Sequence, residues 1–358
     1  MFATPHQLVA WLSPSPLRIA VAITTFVGIL VFLSVTAPSL PQPSLPKIKL
    51  TYANETIYNE SKVALLIENR PQPIIAPLML QFMYAMPPDW RFRFMGSDES
   101  VAWVNQSAAI REQVKAGKLD LTYIPSNMST AGQEMISRFL TTLWFYETVL
   151  QPAEFLLVFQ TDSIICANSK HIVDDYLDYD WVGAPWNPSG RWGGNGGLSL
   201  RRVSNIIDVL RNQRRIDGTE PEDVWLSERL GDHNTGVVAN GSVSTTFSGE
   251  THRGIGEIVS PPECDGEYDD EEECMYESML KKISEPGRPG EWVMGLDDWR
   301  DQCYEPMGYH IGGAGQMHGT VWGTKQKRDH IYTYCPEARM ILKMDFADYV
   351  PGACKESW

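Results

Sequence analysis

Three stretches of this 358-residue sequence bring together side chains that could do chemistry. The first follows the apolar run Phe155-Leu156-Leu157-Val158-Phe159, which stops abruptly at Gln160-Thr161-Asp162-Ser163. An unbroken apolar run of this length suits a strand buried on both faces, as parallel strands in α/β domains are. In such sheets the ligand crevice lies beyond the carboxyl ends of the strands, so Asp162 is well placed for chemistry. The second stretch is Gly193-Gly194-Asn195-Gly196-Gly197-Leu198-Ser199-Leu200-Arg201, preceded by Asp180-Trp181-Val182-Gly183-Ala184-Pro185-Trp186. Its glycines allow positive φ angles and close approach of backbone to a ligand. Residues Ser199 to Asn212 then read as a helix that starts after this loop. The third is Glu220-Pro221-Glu222-Asp223, acids set ahead of a short helical pattern, Val224 to Leu230, where the helix macrodipole favours them.

The elements that must position these groups alternate in type. Val63 to Glu68, Arg91 to Met95, Leu119 to Ile124 and Phe155 to Phe159 read as strands. Ile74 to Met86, Ser100 to Ala116 and Gly132 to Tyr146 read as helices between them. Such alternation predicts βαβ units and a mostly parallel sheet. No Gly-x-Gly-x-x-Gly follows the first strand, which argues against a dinucleotide enzyme. Further on, Met307 to His310 and Gly312 to Gly323 form a glycine-rich late segment, and Ile331 to Tyr334 with Met340 to Phe346 complete the sheet or pack on it. Residues Glu263 to Glu273 hold eight acids and no base, which reads as a solvated loop closed by Cys264 and Cys274 rather than a metal site.

Ile19 to Ala37 carries no charge and is almost wholly apolar. At about 1.5 Å rise per residue its length is close to a hydrocarbon core of about 30 Å. Arg18 borders it on one side and the Pro/Ser-rich Pro38 to Pro46 on the other. Val35-Thr36-Ala37 resembles a small-residue cleavage site, so a cleaved signal peptide competes; the run is long for one, and an uncleaved signal anchor is preferred. Sequons at Asn54, Asn59, Asn105, Asn127 and Asn240 all lie after the run, which fits a luminal carboxyl-terminal bulk. Cys264, Cys274, Cys303, Cys335 and Cys354 are placed for disulfides, whereas Cys166 reads as a buried free thiol. A net charge of −15 argues against nucleic acid as a partner, because phosphate binding needs clustered Lys and Arg.

In this order and spacing, Phe159-Gln160-Thr161-Asp162-Ser163, Val182-Gly183-Ala184-Pro185-Trp186 and Gly194-Asn195-Gly196-Gly197-Leu198-Ser199-Leu200-Arg201 resemble a fungal family of uncharacterised, glycosyltransferase-like proteins. The match covers roughly Lys62 to Phe346. The resemblance implies the GT-A nucleotide-sugar transferase fold. Enzymes of that fold usually end the relevant strand in Asp-x-Asp, and Gln160-Thr161-Asp162 keeps only the last acid. By the resemblance Asp162 binds a divalent cation, Mn²⁺ or Mg²⁺, and Gln160 hydrogen-bonds the ribose or sugar. A late histidine adds a further metal ligand in many members of the fold; His310 is the candidate, with His318 behind it. Glu222-Asp223-Val224 resembles the acidic triplet that supplies the base in several inverting families, with Asp223 the first choice and Glu222 the second. Gly194, Asn195, Gly196 and Gly197 form the loop over the donor sugar, with Trp186 or Trp192 as a stacking platform. Each has a plainer reading: Asp162 as a cap, His310 as an ordinary polar residue, the tryptophans as core anchors.

Together these readings give a cytosolic tail over 1–18, an anchor over 19–37, a stem over 38–61 and a luminal α/β domain, GT-A-like, over 62–358. That domain divides into a nucleotide-sugar half over 62–212 and an acceptor half over 213–358 with an acidic loop at 261–290. The function implied is transfer of a sugar, a hexose with inversion, from a nucleotide-sugar donor to a glycan or glycoconjugate acceptor in the Golgi or endoplasmic reticulum. A catalytically silent, membrane-anchored carbohydrate-binding or scaffolding protein of the same fold is the alternative.

Overall fold

Strand β1 (Asn59–Ile67) shows why the centre of this fold is a sheet covered on both sides. Its Val63 and Leu65 enter one apolar cluster, and the intervening Ala64 and Leu66 enter another. Successive side chains of a strand point to opposite faces, so a strand apolar at every position needs cover on both. Strands β2 (Trp90–Gly96), β3 (Leu119–Tyr123) and β4 (Phe155–Phe159) follow, with β6 (Trp181–Ala184) and β7 (Asn195–Arg202) after them. The order in the sheet is β3-β2-β1-β4-β7-β6. The β3-β2-β1-β4 ladders are parallel, whereas β7 runs antiparallel to both β4 and β6. This is the α/β, mostly parallel architecture that the alternating pattern predicts.

The computed structural model describes residues 16–36, 57–191, 193–232, 236–254, 298–311 and 317–342. The acidic loop at 261–290, Cys264, Cys274, Cys354, Asn54, Trp192 and the stem before residue 57 lie outside them. The chain divides into two units, Met1–Glu55 and Thr56–Trp358. In the first, helix α1 (Pro16–Thr36) has 21 residues, and among the described residues no helix is long and apolar enough to cross a membrane.

In the second unit, helix α2 (Ile75–Ala85) packs Ile75, Leu78, Met79 and Phe82 on one sheet face, where Phe82 stacks on Phe159 at 4.0 Å between centroids. The expected helix over Ser100 to Ala116 is instead two, α3 (Asp98–Val104) and α4 (Ala108–Lys115). Ser97 and Ser107 accept hydrogen bonds from the backbone of Ser100 and Ile110, so each serine starts a helix of its own. The helix over Gly132 to Tyr146 is shortened to α5 (Gln133–Leu140), followed by a π-helical turn, Phe145–Val149. Helices α6 (Val203–Asn212) and α7 (Glu222–Asp232) cover the other face with Val203, Ile206, Trp225 and Leu226. Full burial of such a side chain stabilises by about 1.5–3 kcal/mol.

Two sequence expectations fail here, the helix starting at Ser199 and the free thiol at Cys166, whereas Ile331 to Tyr334 packs on the core as expected. Ser199 to Arg202 belongs to β7 rather than to a helix, and the glycine-rich stretch enters the sheet from Asn195 onward. Ile331 to Tyr334 is helical, within α10 (Lys325–Tyr334). Thr324 caps α10 by accepting from the Lys327 amide, and Arg328, Ile331 and Tyr334 are buried at helical spacing. Between α7 and α10 lie α8 (Gly241–Phe247), α9 (Gly319–Trp322) and the last strands. A second, three-stranded sheet in the order β5-β9-β8 joins Ser163–Ile165, Gly308–His310 and Ser248–Gly249. Cys166, read as a free thiol, is bonded to Cys335 across 169 residues of sequence, because β5 ends where α10 ends. Cys303 is free.

Candidate functional site

The site begins where the large sheet hands the chain to the small one. Beyond β4 the chain turns over Gln160–Ser163, the Ser163 amide donating to the Gln160 carbonyl at 3.1 Å. Ser163 then opens β5 opposite His310 of β9. The Ile311 amide donates to the Asp162 carbonyl at 3.0 Å, carrying the ladder one residue further. Asp162 Oδ1 consequently stands 3.4 Å from His310 Nε2. On the other edge of β9, β8 pairs in parallel with Ser248 opposite Gly308 and Gly249 opposite Tyr309. Continuing that register sets Glu250 beside His310, and its Oε2 lies 3.6 Å from His310 Nδ1.

His310 is 3% exposed and Glu250 7%. Burial alone disfavours the charged imidazole, but the carboxylates of Asp162 and Glu250 outweigh it and the pKa is pushed up to about 9. Neither contact has hydrogen-bond geometry, and among the described residues both ring nitrogens lack a hydrogen-bond partner. Asn195 Nδ2 donates to Glu250 Oε1 at 3.4 Å, and Asn195 Oδ1 accepts from the Gly197 amide at 2.7 Å. Gly197 lies against the ring itself: a Cβ there would stand 2.2 Å from His310 Nε2.

Ligands at about 2.0–2.2 Å from an ion and at right angles to one another are about 3 Å apart. The 3.4 Å between Asp162 Oδ1 and the orphaned His310 Nε2 fits two neighbouring ligands of one ion. Glu250 approaches the opposite ring nitrogen and cannot join them, and among the described residues no group of three or more His, Cys, Asp or Glu converges on a metal position.

Asp223 and Glu222 sit at the start of α7, beside Gly196, which precedes on β7 the glycine that meets the histidine. Asp223 Oδ2 accepts from the Gly196 amide at 3.0 Å and Oδ1 from the Val224 amide at 2.9 Å. Gly196 thus bears on Asp223 while Gly197 bears on His310. Glu222 is different. Its two oxygens accept from Arg201 at 2.9 and 3.0 Å, and Arg201 is fully buried over the Trp181 ring. Burial pushes Glu222 up to about 7 against the pull of Arg201. Through this pair Glu222, the second candidate for the base, ties α7 to β7, while Asp223 is the acid that meets the glycine-rich strand.

The remaining residues are placed as follows. Gln160 is exposed at the turn. Gly194 closes on Gly183, and Gly193, at φ 104°, packs against the Trp186 ring, a residue that is 40% exposed. His318 caps α9 by accepting from the Thr320 amide and takes no part in the cluster. Asn59, Asn105, Asn127 and Asn240 are exposed. Glu250 escaped the sequence reading: it follows a two-residue strand too short to show a pattern, and its place comes only from the β8–β9 register.

Residues 118–259 match a family described as a protein of unknown function (DUF5672). No curated protein matches the chain. Among solved structures, the mannosyltransferase PcManGT from Pyrobaculum calidifontis in complex with GDP-Man and Mn²⁺ is similar at 12% identity and a TM-score of 0.37, over 62% of this chain and 64% of that one. The apo-form glycosyltransferase GlyE of Streptococcus pneumoniae TIGR4 is similar at 10% identity and 0.40, over 83% and 66%. An active-site mutant of LgtC is similar at 13% identity and 0.36, over 78% and 100%. The chain spans less than two thirds of the length of the first two.

Proposed function

We propose that this chain is a glycosyltransferase that moves a sugar from a nucleotide-sugar donor to a glycan or glycoconjugate acceptor. The observation that carries the reading is the meeting of Asp162, His310 and Gly197 beyond the carboxyl end of β4. That is where open α/β sheets bind ligands. As the glycosidic bond breaks, the diphosphate leaving group gains negative charge. A Mn²⁺ or Mg²⁺ ion held by Asp162 and His310 would supply the opposing charge. Gln160, exposed on the same turn, is available to the donor's hydroxyls, and the exposed Trp186 to the face of a sugar.

Asp223 is the proton acceptor in this reading, giving an inverting hexosyl transfer. Its two backbone donors, the Gly196 and Val224 amides, fix the position of the carboxylate. The proposal extends to topology. On the strength of their uncharged, apolar sequence rather than of the helix α1, residues 19–37 are assigned as a Golgi or endoplasmic reticulum membrane anchor, with the sequon-bearing bulk in the lumen.

The test is hydrolysis of a panel of nucleotide sugars by the purified full-length chain, with and without Mn²⁺. One donor should be turned over, faster with the ion. Asp223→Asn should keep donor binding and lower transfer by about 10²–10⁴-fold. Equal rates for wild type and Asp223→Asn would remove Asp223 from the mechanism. The silent scaffold draws on a specific observation, Gln160 in place of the first acid of an Asp-x-Asp triplet. A chain that binds no nucleotide sugar would favour that reading over ours.

A further inference from the structure

We propose that Glu250 is a positioning residue: it takes the Nδ1 side of His310 and holds the ring with Nε2 turned to Asp162. This rests on the reading of His310 as a cation ligand, and it assigns a role to a carboxylate that the transfer chemistry does not use.

A carboxylate that is 7% exposed costs free energy unless something pairs with it. Among the described residues, no Lys or Arg forms an ion pair with Glu250; its neighbours are Asn195 Nδ2 at 3.4 Å and His310 Nδ1 at 3.6 Å. The second neighbour explains the burial. A histidine ligand works through one nitrogen, and the group at the other nitrogen sets the tautomer and the ring's orientation. Here the two nitrogens have distinct companions, Asp162 at Nε2 and Glu250 at Nδ1. A half-turn of the ring would put carbon where each carboxylate expects nitrogen. Gly197, pressed against the Nε2 end, leaves the ring little freedom to find another pose.

The side chain also ties the cluster to the glycine-rich strand. Asn195 links Glu250 to the Gly197 amide, so ring, carboxylate and strand form one connected array. The elements involved come from four separate parts of the sequence, β5, β7, β8 and β9. Rigid support of this kind is what keeps a ligand atom aimed at an ion before the ion arrives.

The experiment uses the full-length chain labelled with ¹⁵N-histidine, together with Glu250→Gln, Glu250→Ala and Asp162→Ala. Glu250→Gln keeps shape and an acceptor oxygen but loses the charge, so it guards against a variant that fails to fold. In metal-free protein, the His310 ring ¹⁵N signals of Glu250→Ala should shift away from those of the wild type. His310 ring signals unchanged in both Glu250 variants would overturn the proposal whatever the metal does. Titration with Mn²⁺ alone should then show about 10–100-fold weaker binding for Glu250→Ala, partly restored in Glu250→Gln. Wild-type affinity in Glu250→Ala would also overturn it, since an unaimed ring would be expected to bind less well. If Asp162→Ala binds Mn²⁺ as well as the wild type, the cation reading of the site is what fails. The ring spectra then decide by themselves whether Glu250 holds His310.

Discussion

Gly197 matters for what it lacks. A Cβ at that residue would come within 2.2 Å of His310 Nε2 and 2.4 Å of Cε1, well inside nonbonded contact. Alanine must therefore push the ring away from Asp162 or bend β7, which Ser163 Oγ also holds by donating to the Gly197 carbonyl at 2.8 Å. We expect Gly197→Ala to lose donor turnover by at least about 10²-fold, the order typical of a misplaced catalytic contact. Gly319→Ala is the control, because a Cβ there meets nothing within 4 Å. The measurement is nucleotide-sugar hydrolysis beside a melting curve for each variant. Full turnover in Gly197→Ala would mean that chemistry does not depend on His310 in this position. At this scale the sequence was partly legible. Asp162 could be found because a strand ends in front of it, and Asp223 because a helix starts at it. Glu250 and the Gly197–His310 contact could not, since both arise from pairing between segments far apart in the chain.

Elements were legible where apolar runs are long and uninterrupted, as in β1, β2 and β4. They were misread where short polar or glycine-rich stretches are buried by their neighbours. β7 alternates Leu198 and Leu200 with Ser199 and Arg201, and all four are buried because the strand lies between β4 and β6. Glycines that read as a loop become strand when backbone must pass close to His310 and Asp223. In α10 the decisive signal was the Thr324 cap rather than the apolar pair that follows. One contact between elements offers a clean test. Glu134 of α5 accepts from Arg215 at 2.7 and 3.2 Å, from Arg138 at 2.8 Å and from the Gly218 amide at 2.9 Å. Arg215 first, then Arg138 and the amide, hold its carboxyl down at about 2. A depressed folded-state pKa adds stability that is present above the unfolded value of about 4.5 and is lost as pH falls through about 2. Urea midpoints of Glu134→Gln should lie below the wild type at pH 7 and converge with it near pH 2. A gap that stays constant across this window would show that the charge on Glu134 contributes nothing to the fold.

For the molecule as a whole, the Cys166–Cys335 bond joins the end of β5, next to the candidate site, to the end of α10. Two consequences follow. One is energetic: a cross-link closing a loop of 100 residues or more removes about 4.7 kcal/mol of unfolded-state entropy in the chain-entropy account, while measured values are commonly 2–4. Cys335→Ser should therefore lower unfolding stability by about 2–5 kcal/mol, and wild type should run faster than reduced protein on a non-reducing gel. The other concerns compartment. Such a bond persists in the secretory lumen and is rare in the cytosol, and glycan addition at the exposed Asn59, Asn105, Asn127 and Asn240 needs the same side of the membrane. The two observations are independent in chemistry but must agree in topology. In microsomes, the expressed chain should gain mobility on endoglycosidase treatment, resist protease added outside and keep its disulfide. A chain with no glycan shift whose folded unit is digested from outside would place residues 57–342 in the cytosol. The bond would then face a reducing pool, and both the anchor proposed at 19–37 and the luminal transferase would have to be given up.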